Sequence, residues 1–394
     1  MPRASRSLNV SAPSSGVNGR LQALTGMRFY AALMVVGFHL VTLNNAFISN
    51  STVVEPIRFA LRNGGWFGVT FFFVLSGFVL TWSAREKDNP FQFFTRRFAK
   101  VVPNHVVTFL IAFAVAGLGA ASTWEAGANL FLLHAWIPSD TSFFSINHPS
   151  WSLSAEMFFY LAFPFVIPWA RRVPAQRILP IIGIVAVVLL LLPLLISLLP
   201  AGELFGPNHA RSPLHGASIT QVWAVYALPL VRFGDFFIGI LLARGVIHGV
   251  IPNIGIPAAT VSVLATYAVS LFVPLPWQLD SLYVLPVAAL IAAAATTEST
   301  PRWLSGPRAV RLGEMSFALY MVHDIVLTIT ARLTGDESLS IGAGISISLL
   351  VLAASLGCAW LLWRFVENPA NRYLRGILTR SQIPAVTTPE RASK

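Results

Sequence analysis

Two residues that can carry chemistry lie eleven positions apart in the apolar stretch MRFYAALMVVGFH, namely Arg28 and His39. On an α-helix this spacing is about 16 Å of rise and about 1100° of rotation, which leaves both side chains within about 20° of one face. An arginine near a membrane surface can dock an anion, and a histidine near the bilayer middle can transfer a proton. The alternative is a snorkelling arginine and a histidine that is hydrogen-bonded to a neighbouring helix.

A second polar group follows Trp151, where Ser152 and Glu156 are spaced i,i+4 and therefore share one helix face. Ser154 lies between them. A carboxylate at this depth either holds the helix bundle together through a cationic partner or takes part in a reaction. The sequence leaves both roles of Glu156 open.

A third polar stripe consists of Ser316, Tyr320 and His323, whose i, i+4, i+7 spacing places them along one side of a helix. His323 falls about 15 Å from the inner edge of its predicted span, close to the predicted depth of His39. The pattern predicts either a reaction chamber or a hydrogen-bonded core. Arg232 and Asp235 are spaced i,i+3, so they are expected to neutralise one another.

The elements that position these residues are predicted from composition. The 394-residue chain has a mean hydropathy of +0.68 and only 11% charged residues, whereas soluble domains carry roughly 25%. Long continuous apolar runs predict an all-α polytopic membrane protein rather than a β-barrel. Ten spans are predicted: 28–48, 66–83, 101–119, 151–170, 178–199, 224–244, 253–273, 279–297, 313–333 and 341–364.

The formal net charge of +11 is explained by topology rather than by nucleic-acid binding. With ten spans, most Lys and Arg residues lie on one side, which the positive-inside rule assigns to the cytoplasm together with both termini. The polar N-terminal segment lacks the pattern of a cleaved signal peptide. We therefore predict a disordered tail at 1–20, a membrane domain at 21–375 and a cytoplasmic tail at 376–394.

The cysteine and histidine content argues against a metal centre. Cys358 is the single cysteine, so neither an intramolecular disulfide nor a cysteine-based metal site can form. His134, His148 and His209 lie in predicted outer segments at irregular spacing. We predict no bound metal and no permanently bound cofactor.

Seven segments, in order, resemble blocks of the acyltransferase 3 family of integral-membrane O-acyltransferases. LTGMRFYAALMVVGFH is similar to the family's signature of an arginine, ten residues and a histidine, and the resemblance extends over residues 21–373. The other segments are WFGVTFFFVLSGFVLTW, TRRFAKVVPNH, NHPSWSLSAEMFFYLAFP, RFGDFFIGILLAR, MSFALYMVH and RFVENPANR. One departure is Lys100, which stands where the family usually has an arginine.

The resemblance implies a reaction and a set of site residues. Arg28, Arg96, Arg97 and Lys100 would hold the phosphates of an acyl-CoA such as acetyl-CoA, for which arginine is well suited because it pairs bidentately. His39 would be the general base, and Glu156 would orient its imidazole or bind the acceptor hydroxyl. Both direct transfer and an acyl-histidine intermediate stay open. Expected lining residues are Trp151, Ser154, Tyr320 and His323.

The start TGMRF resembles actinobacterial family members that acylate macrolide antibiotics. We therefore expect short-chain acylation of a macrolide or its sugar, as in antibiotic biosynthesis, with O-acetylation of an envelope polysaccharide or glycolipid as the alternative. A transporter or flippase is the rival from another class, although no matched inverted halves are found. The expected location is the bacterial inner membrane, with lipid as a partner, no nucleic acid, and a homo-oligomer left open.

Overall fold

The ten predicted spans correspond to ten helices in a computed structural model of the chain. The structure describes residues 15–44, 47–84, 89–117, 121–209, 212–297, 300–335 and 339–373. The predicted tails at 1–20 and 376–394 lie outside the described residues, except for 15–20, with which the first helix begins. The ten helices are α1 (Ser15–Asn44), α2 (Gly64–Ser83), α3 (Pro90–Ala116), α4 (Trp151–Arg172), α5 (Ala175–Ile196), α6 (Pro229–Ile247), α7 (Gly255–Ser270), α8 (Val284–Thr296), α9 (Pro307–Thr334) and α10 (Ile341–Leu362).

Among the described residues, eight helices are long and apolar enough to cross a membrane, and α7 and α8 are shorter apolar helices. The described part of the chain has no strand, only an isolated bridge between Leu204 and Ser218. The all-α polytopic prediction is therefore confirmed. The cytoplasmic location of both termini stays a prediction.

Helix starts follow ordinary capping chemistry. Asn89 precedes α3 and its side chain accepts a hydrogen bond from the backbone N–H of Phe91 at 2.9 Å, while Pro90 occupies the first helical position. Such a cap satisfies a donor that the helix leaves unpaired. The cap sets the start of the helix that carries Arg96, Arg97 and Lys100 within its first three turns.

Helices that carry candidate residues cross at glycines. A Cβ on Gly313 of α9 would lie 1.8 Å from the carbonyl oxygen of Thr25 in α1, and a Cβ on Gly239 of α6 would lie 2.0 Å from that of Val74 in α2. Only glycine allows backbones this close, as at other small-residue crossings in membranes. The α1–α9 contact is the one that holds His39 and His323 on facing helices.

Substituting alanine at the α2–α6 crossing is expected to destabilise the bundle. Gly239→Ala places its Cβ against a backbone carbonyl that cannot move independently, and such overpacking costs about 1–3 kcal/mol or more. Gly183→Ala is the matched control, since a Cβ there meets nothing within 4 Å; it should be neutral or slightly stabilising. Thermal unfolding in detergent measures the stability of both variants. If Gly239→Ala is as stable as Gly183→Ala, the close backbone contact at the α2–α6 crossing is contradicted.

A buried polar cluster anchors the connection before α4. The Asn129 amide donates to the carbonyl oxygen of Ser145 at 2.8 Å and to the Ser150 hydroxyl at 3.1 Å, and the Nε2 of His134 lies 3.1 Å from the same hydroxyl. Burial lowers the pKa of His134 to about 3, so the ring is neutral at physiological pH. This cluster fixes the start of α4, which carries Trp151, and gives His134 a structural role.

A buried ionic network joins α2 and α6 to the connection that precedes α8. Arg232 donates a hydrogen bond to the Thr70 hydroxyl at 3.0 Å. It also forms ion pairs with Asp235, at 2.9 Å between Nη2 and Oδ2, and with Asp280. Its guanidinium also lies over the ring of Phe73, 5.1 Å from the centroid. The predicted Arg232–Asp235 pair is present, and Asp280 completes it.

Candidate active site

Three cavities follow one another along the bundle, and we name them by the predicted orientation. The inner cavity has a volume of about 440 Å³, the middle cavity about 110 Å³ and the outer cavity about 50 Å³. Arg28, Arg97 and Lys100 line both the inner and the middle cavity, whereas Val69 and Tyr320 line both the middle and the outer cavity. Because neighbouring cavities share these residues, the three cavities lie next to one another in the order inner, middle and outer.

The cationic side chains at the inner end come from two helices. Arg28 lies on α1, Arg97 and Lys100 lie on α3, and Arg96 lines the inner cavity beside them. The Arg97 guanidinium lies over the Phe93 ring, 5.7 Å from its centroid, and its buried Nε has no hydrogen-bond partner among the described residues. A concentrated positive charge with an unused buried donor fits a phosphate-bearing ligand.

Glu156 lies in the middle cavity, on α4. Its Oε1 accepts hydrogen bonds from the hydroxyl of Tyr160 and from Ser76, the latter at 3.3 Å. Tyr320 of α9 faces the same cavity and is bonded to the Ser152 hydroxyl at 2.8 Å. The middle cavity therefore combines one carboxylate with several hydroxyl groups.

The two histidines predicted near mid-membrane meet each other. The Nδ1 of His39 lies 2.9 Å from the Nε2 of His323, and the ring centroids are 5.0 Å apart. His39 lines the outer cavity, and His323 is fully buried behind it. The described hydrogen bonds thus pair the imidazole of His39 with His323, while Glu156 is bonded to Tyr160 and Ser76.

Of the other predicted lining residues, two lie at a cavity and one does not. Trp151 lines the outer cavity and Tyr320 lines two of the three. Ser154 is buried and donates to the carbonyl oxygen of Leu132 at 2.5 Å. Because Ser154 faces the neighbouring connection, the structure does not bring it to any of the three cavities.

Sequence reasoning missed two histidine–aspartate pairs near the outer cavity. His148 lies 3.3 Å from a carboxylate oxygen of Asp324, and His209 lies 3.4 Å from one of Asp140. His148 and His209 both line that cavity. The irregular spacing of these histidines gave no signal of a pairing, although Asp324 directly follows His323 in the chain.

Taken together, the cavities place a cationic region, a carboxylate and a histidine pair in sequence across the bundle. Such a set can bind an anionic donor at one end and move a proton at the other. Among the described residues, no cluster of three or more His, Cys, Asp or Glu side chains could hold a metal ion.

Comparison with known proteins agrees with this chemistry. The acyltransferase domain of the acyltransferase 3 family matches residues 21–364. The chain is 34% identical over 388 residues to Acyltransferase MdmB of Streptomyces mycarofaciens, covering 95% of this chain and 96% of that protein.

Two further relatives are named O-acetyltransferases. Peptidoglycan O-acetyltransferase OatA of Listeria monocytogenes is 25% identical over 89% of this chain, and the match spans 56% of its own length. O-acetyltransferase OatA of Staphylococcus aureus is 26% identical over 53% of this chain and 36% of its own length. No solved structure matches. The chain belongs to the acyltransferase 3 family and is a multi-pass bacterial membrane O-acyltransferase.

Proposed function

We propose that the protein transfers a short acyl group from acyl-CoA to a hydroxyl group of a macrolide or its sugar. The observation that carries the donor assignment is the sharing of Arg28, Arg97 and Lys100 by the inner and middle cavities. A phosphate-bearing donor held there has its thioester arm directed into the bundle. Lys100 contributes charge without the bidentate geometry of an arginine.

In the proposed reaction, His39 is the general base. It accepts the proton of the acceptor hydroxyl as that oxygen attacks the thioester carbonyl; the C–S bond breaks, and the coenzyme A thiolate takes the proton from the imidazolium. Atoms and charge balance without another reactant. An acyl-histidine route would use the same residue as nucleophile.

Glu156 is proposed to bind the acceptor hydroxyl rather than to orient His39. Its carboxylate faces the middle cavity together with Tyr320, and the described hydrogen bond of the His39 ring is to His323. A carboxylate with unused acceptor capacity can take a hydrogen bond from an incoming hydroxyl. Ser76 and Tyr160 would hold it in place for that contact.

The macrolide acceptor rests on the resemblance of the TGMRF segment and on the match to a Streptomyces acyltransferase along nearly the full length of both chains. Envelope-glycan O-acetylation is the second candidate. It is supported by the name of the Listeria relative and by the position of His39 beside the outer cavity. That position suits an acceptor that arrives from the side opposite to the inner cavity.

Purified protein with acetyl-CoA and each acceptor class tests these assignments. Mass spectrometry should show an acetylated macrolide, together with release of coenzyme A. If the glycan is acetylated and no macrolide product forms, the acceptor is an envelope glycan rather than a macrolide. Substrate movement across vesicles without coenzyme A release would mean that the chain acts as a transporter.

Removing one phosphate ligand is expected to weaken donor binding. Arg97→Ala should raise the Kd for acetyl-CoA by about 10- to 150-fold, since a hydrogen bond to a charged group contributes about 1.5–3 kcal/mol. Arg308→Ala is the control, because Arg308 is an exposed arginine at the start of α9 and lies in none of the three cavities. The Kd is measured by titrating the membrane-inserted Arg97→Ala protein with acetyl-CoA. If this Kd is unchanged and only the expression level is lower, Arg97 anchors the topology instead.

A further inference from the structure

His323 has a hydrogen-bond partner at each ring nitrogen, and the two partners differ in kind. Its Nδ1 lies 3.2 Å from the backbone carbonyl oxygen of Leu319, and its Nε2 lies 2.9 Å from Nδ1 of His39. A carbonyl oxygen can only accept. The Nδ1 of His323 therefore carries the hydrogen, and the neutral ring has its lone pair on Nε2.

The same reasoning extends to His39. Because Nε2 of His323 is an acceptor, the hydrogen in the 2.9 Å contact belongs to Nδ1 of His39. In a neutral His39 the remaining nitrogen, Nε2, then holds a free lone pair. Free imidazole can carry its hydrogen on either nitrogen, so the contact with His323 on α9 favours one tautomer of His39 on α1.

We propose that His323 is a positioning residue that holds His39 in the tautomer whose Nε2 can accept a proton. This inference rests on the proposed function in one respect, the assignment of His39 as the base. His323 itself is fully buried and lines none of the three cavities. It therefore acts through His39 rather than on the substrate.

The contact between the two rings also survives protonation of His39. An imidazolium at His39 keeps its Nδ1 hydrogen bonded to His323, so taking up a proton at Nε2 requires no rearrangement of the pair. Asp324, the next residue after His323, is a buried carboxylate that is paired with His148 and supplies negative charge nearby. Preorganised groups of this kind lower the cost of charge that develops during a reaction.

Two substitutions separate positioning from packing. His323→Phe keeps a ring in the site and removes both nitrogens, whereas His323→Gln keeps an acceptor within reach of His39. We expect His323→Phe to lower kcat at least 100-fold with an unchanged KM for acetyl-CoA, and His323→Gln to stay within about tenfold of the wild-type kcat. In the serine-protease triad, loss of the correct histidine tautomer is similarly costly.

Solid-state NMR of ¹⁵N-histidine-labelled protein reports the tautomer without turnover, and subtracting the His39→Ala spectrum identifies His39. The wild-type protein should show His39 protonated at Nδ1, and His323→Phe should lose that preference. Three results would overturn the inference. They are a wild-type kcat in folded His323→Phe protein, equal losses of kcat in the two His323 variants, and an unchanged His39 tautomer in His323→Phe. If His39→Ala stays active, the proposed function fails, while the NMR result still decides the tautomer.

Discussion

Alanine in place of His39 is expected to lower acyl transfer by about 10²- to 10⁴-fold, the contribution of a general base. The side chain lines the outer cavity and its Nδ1 is bonded to His323, so the substitution removes the proton acceptor. The cations of the inner cavity are unaffected. Acetyl-CoA should therefore bind with unchanged Kd, and the loss should appear in kcat, measured by coenzyme A release.

His248→Ala is the matched control for this experiment, since His248 is an exposed histidine that follows α6 and contacts none of the cavities. It should retain wild-type kcat. Transfer at the wild-type rate by folded His39→Ala protein would remove His39 from the mechanism. A weaker Kd for acetyl-CoA in that variant would move its role from proton transfer to donor binding.

The second large effect concerns the buried ionic network, where Arg232→Met should destabilise the protein by about 3–5 kcal/mol. Arg232 is fully buried, and so are its partners Asp235 and Asp280. Methionine fills much of the volume but leaves two carboxylates without a counter-charge. Thermal unfolding in detergent is the measurement.

A triple variant tests whether the cost arises from unpaired charge. Combining Arg232→Met with Asp235→Asn and Asp280→Asn removes both uncompensated carboxylates, and we expect it to recover more than half of the lost stability. Neutral replacements of whole buried ion groups are often tolerated, whereas removal of one partner is not. A triple variant as unstable as Arg232→Met would instead indicate that packing or the Thr70 contact dominates.

Much of the architecture could be predicted from the sequence, because the bilayer requires long apolar helices whose backbone bonds are satisfied internally. All ten predicted spans overlap described helices, including the alanine-rich α8, whose small side chains are buried against its neighbours. Contacts within one helix could also be predicted from the sequence. Arg232 and Asp235 pair as their i,i+3 spacing predicts.

Contacts between helices could not be predicted from the sequence in the same way. His39 and His323 are 284 positions apart, and their predicted depths agree, but depth does not specify which helices are neighbours or how each is rotated. Asp280 joins Arg232 from a connection, and Ser154 faces Leu132 rather than a cavity.

The sequence by itself determined the order and approximate positions of the ten apolar helices. It also determined that Ser152 and Glu156 share one helix face and that Arg28 and His39 lie on one helix, since these features depend on local periodicity and hydrophobicity. Only the tertiary structure decided that the imidazole of His39 meets His323 and that the carboxylate of Glu156 meets Ser76. The reason is physical: helix rotation and neighbour choice are set by close packing, here at glycine crossings such as Gly313 against Thr25.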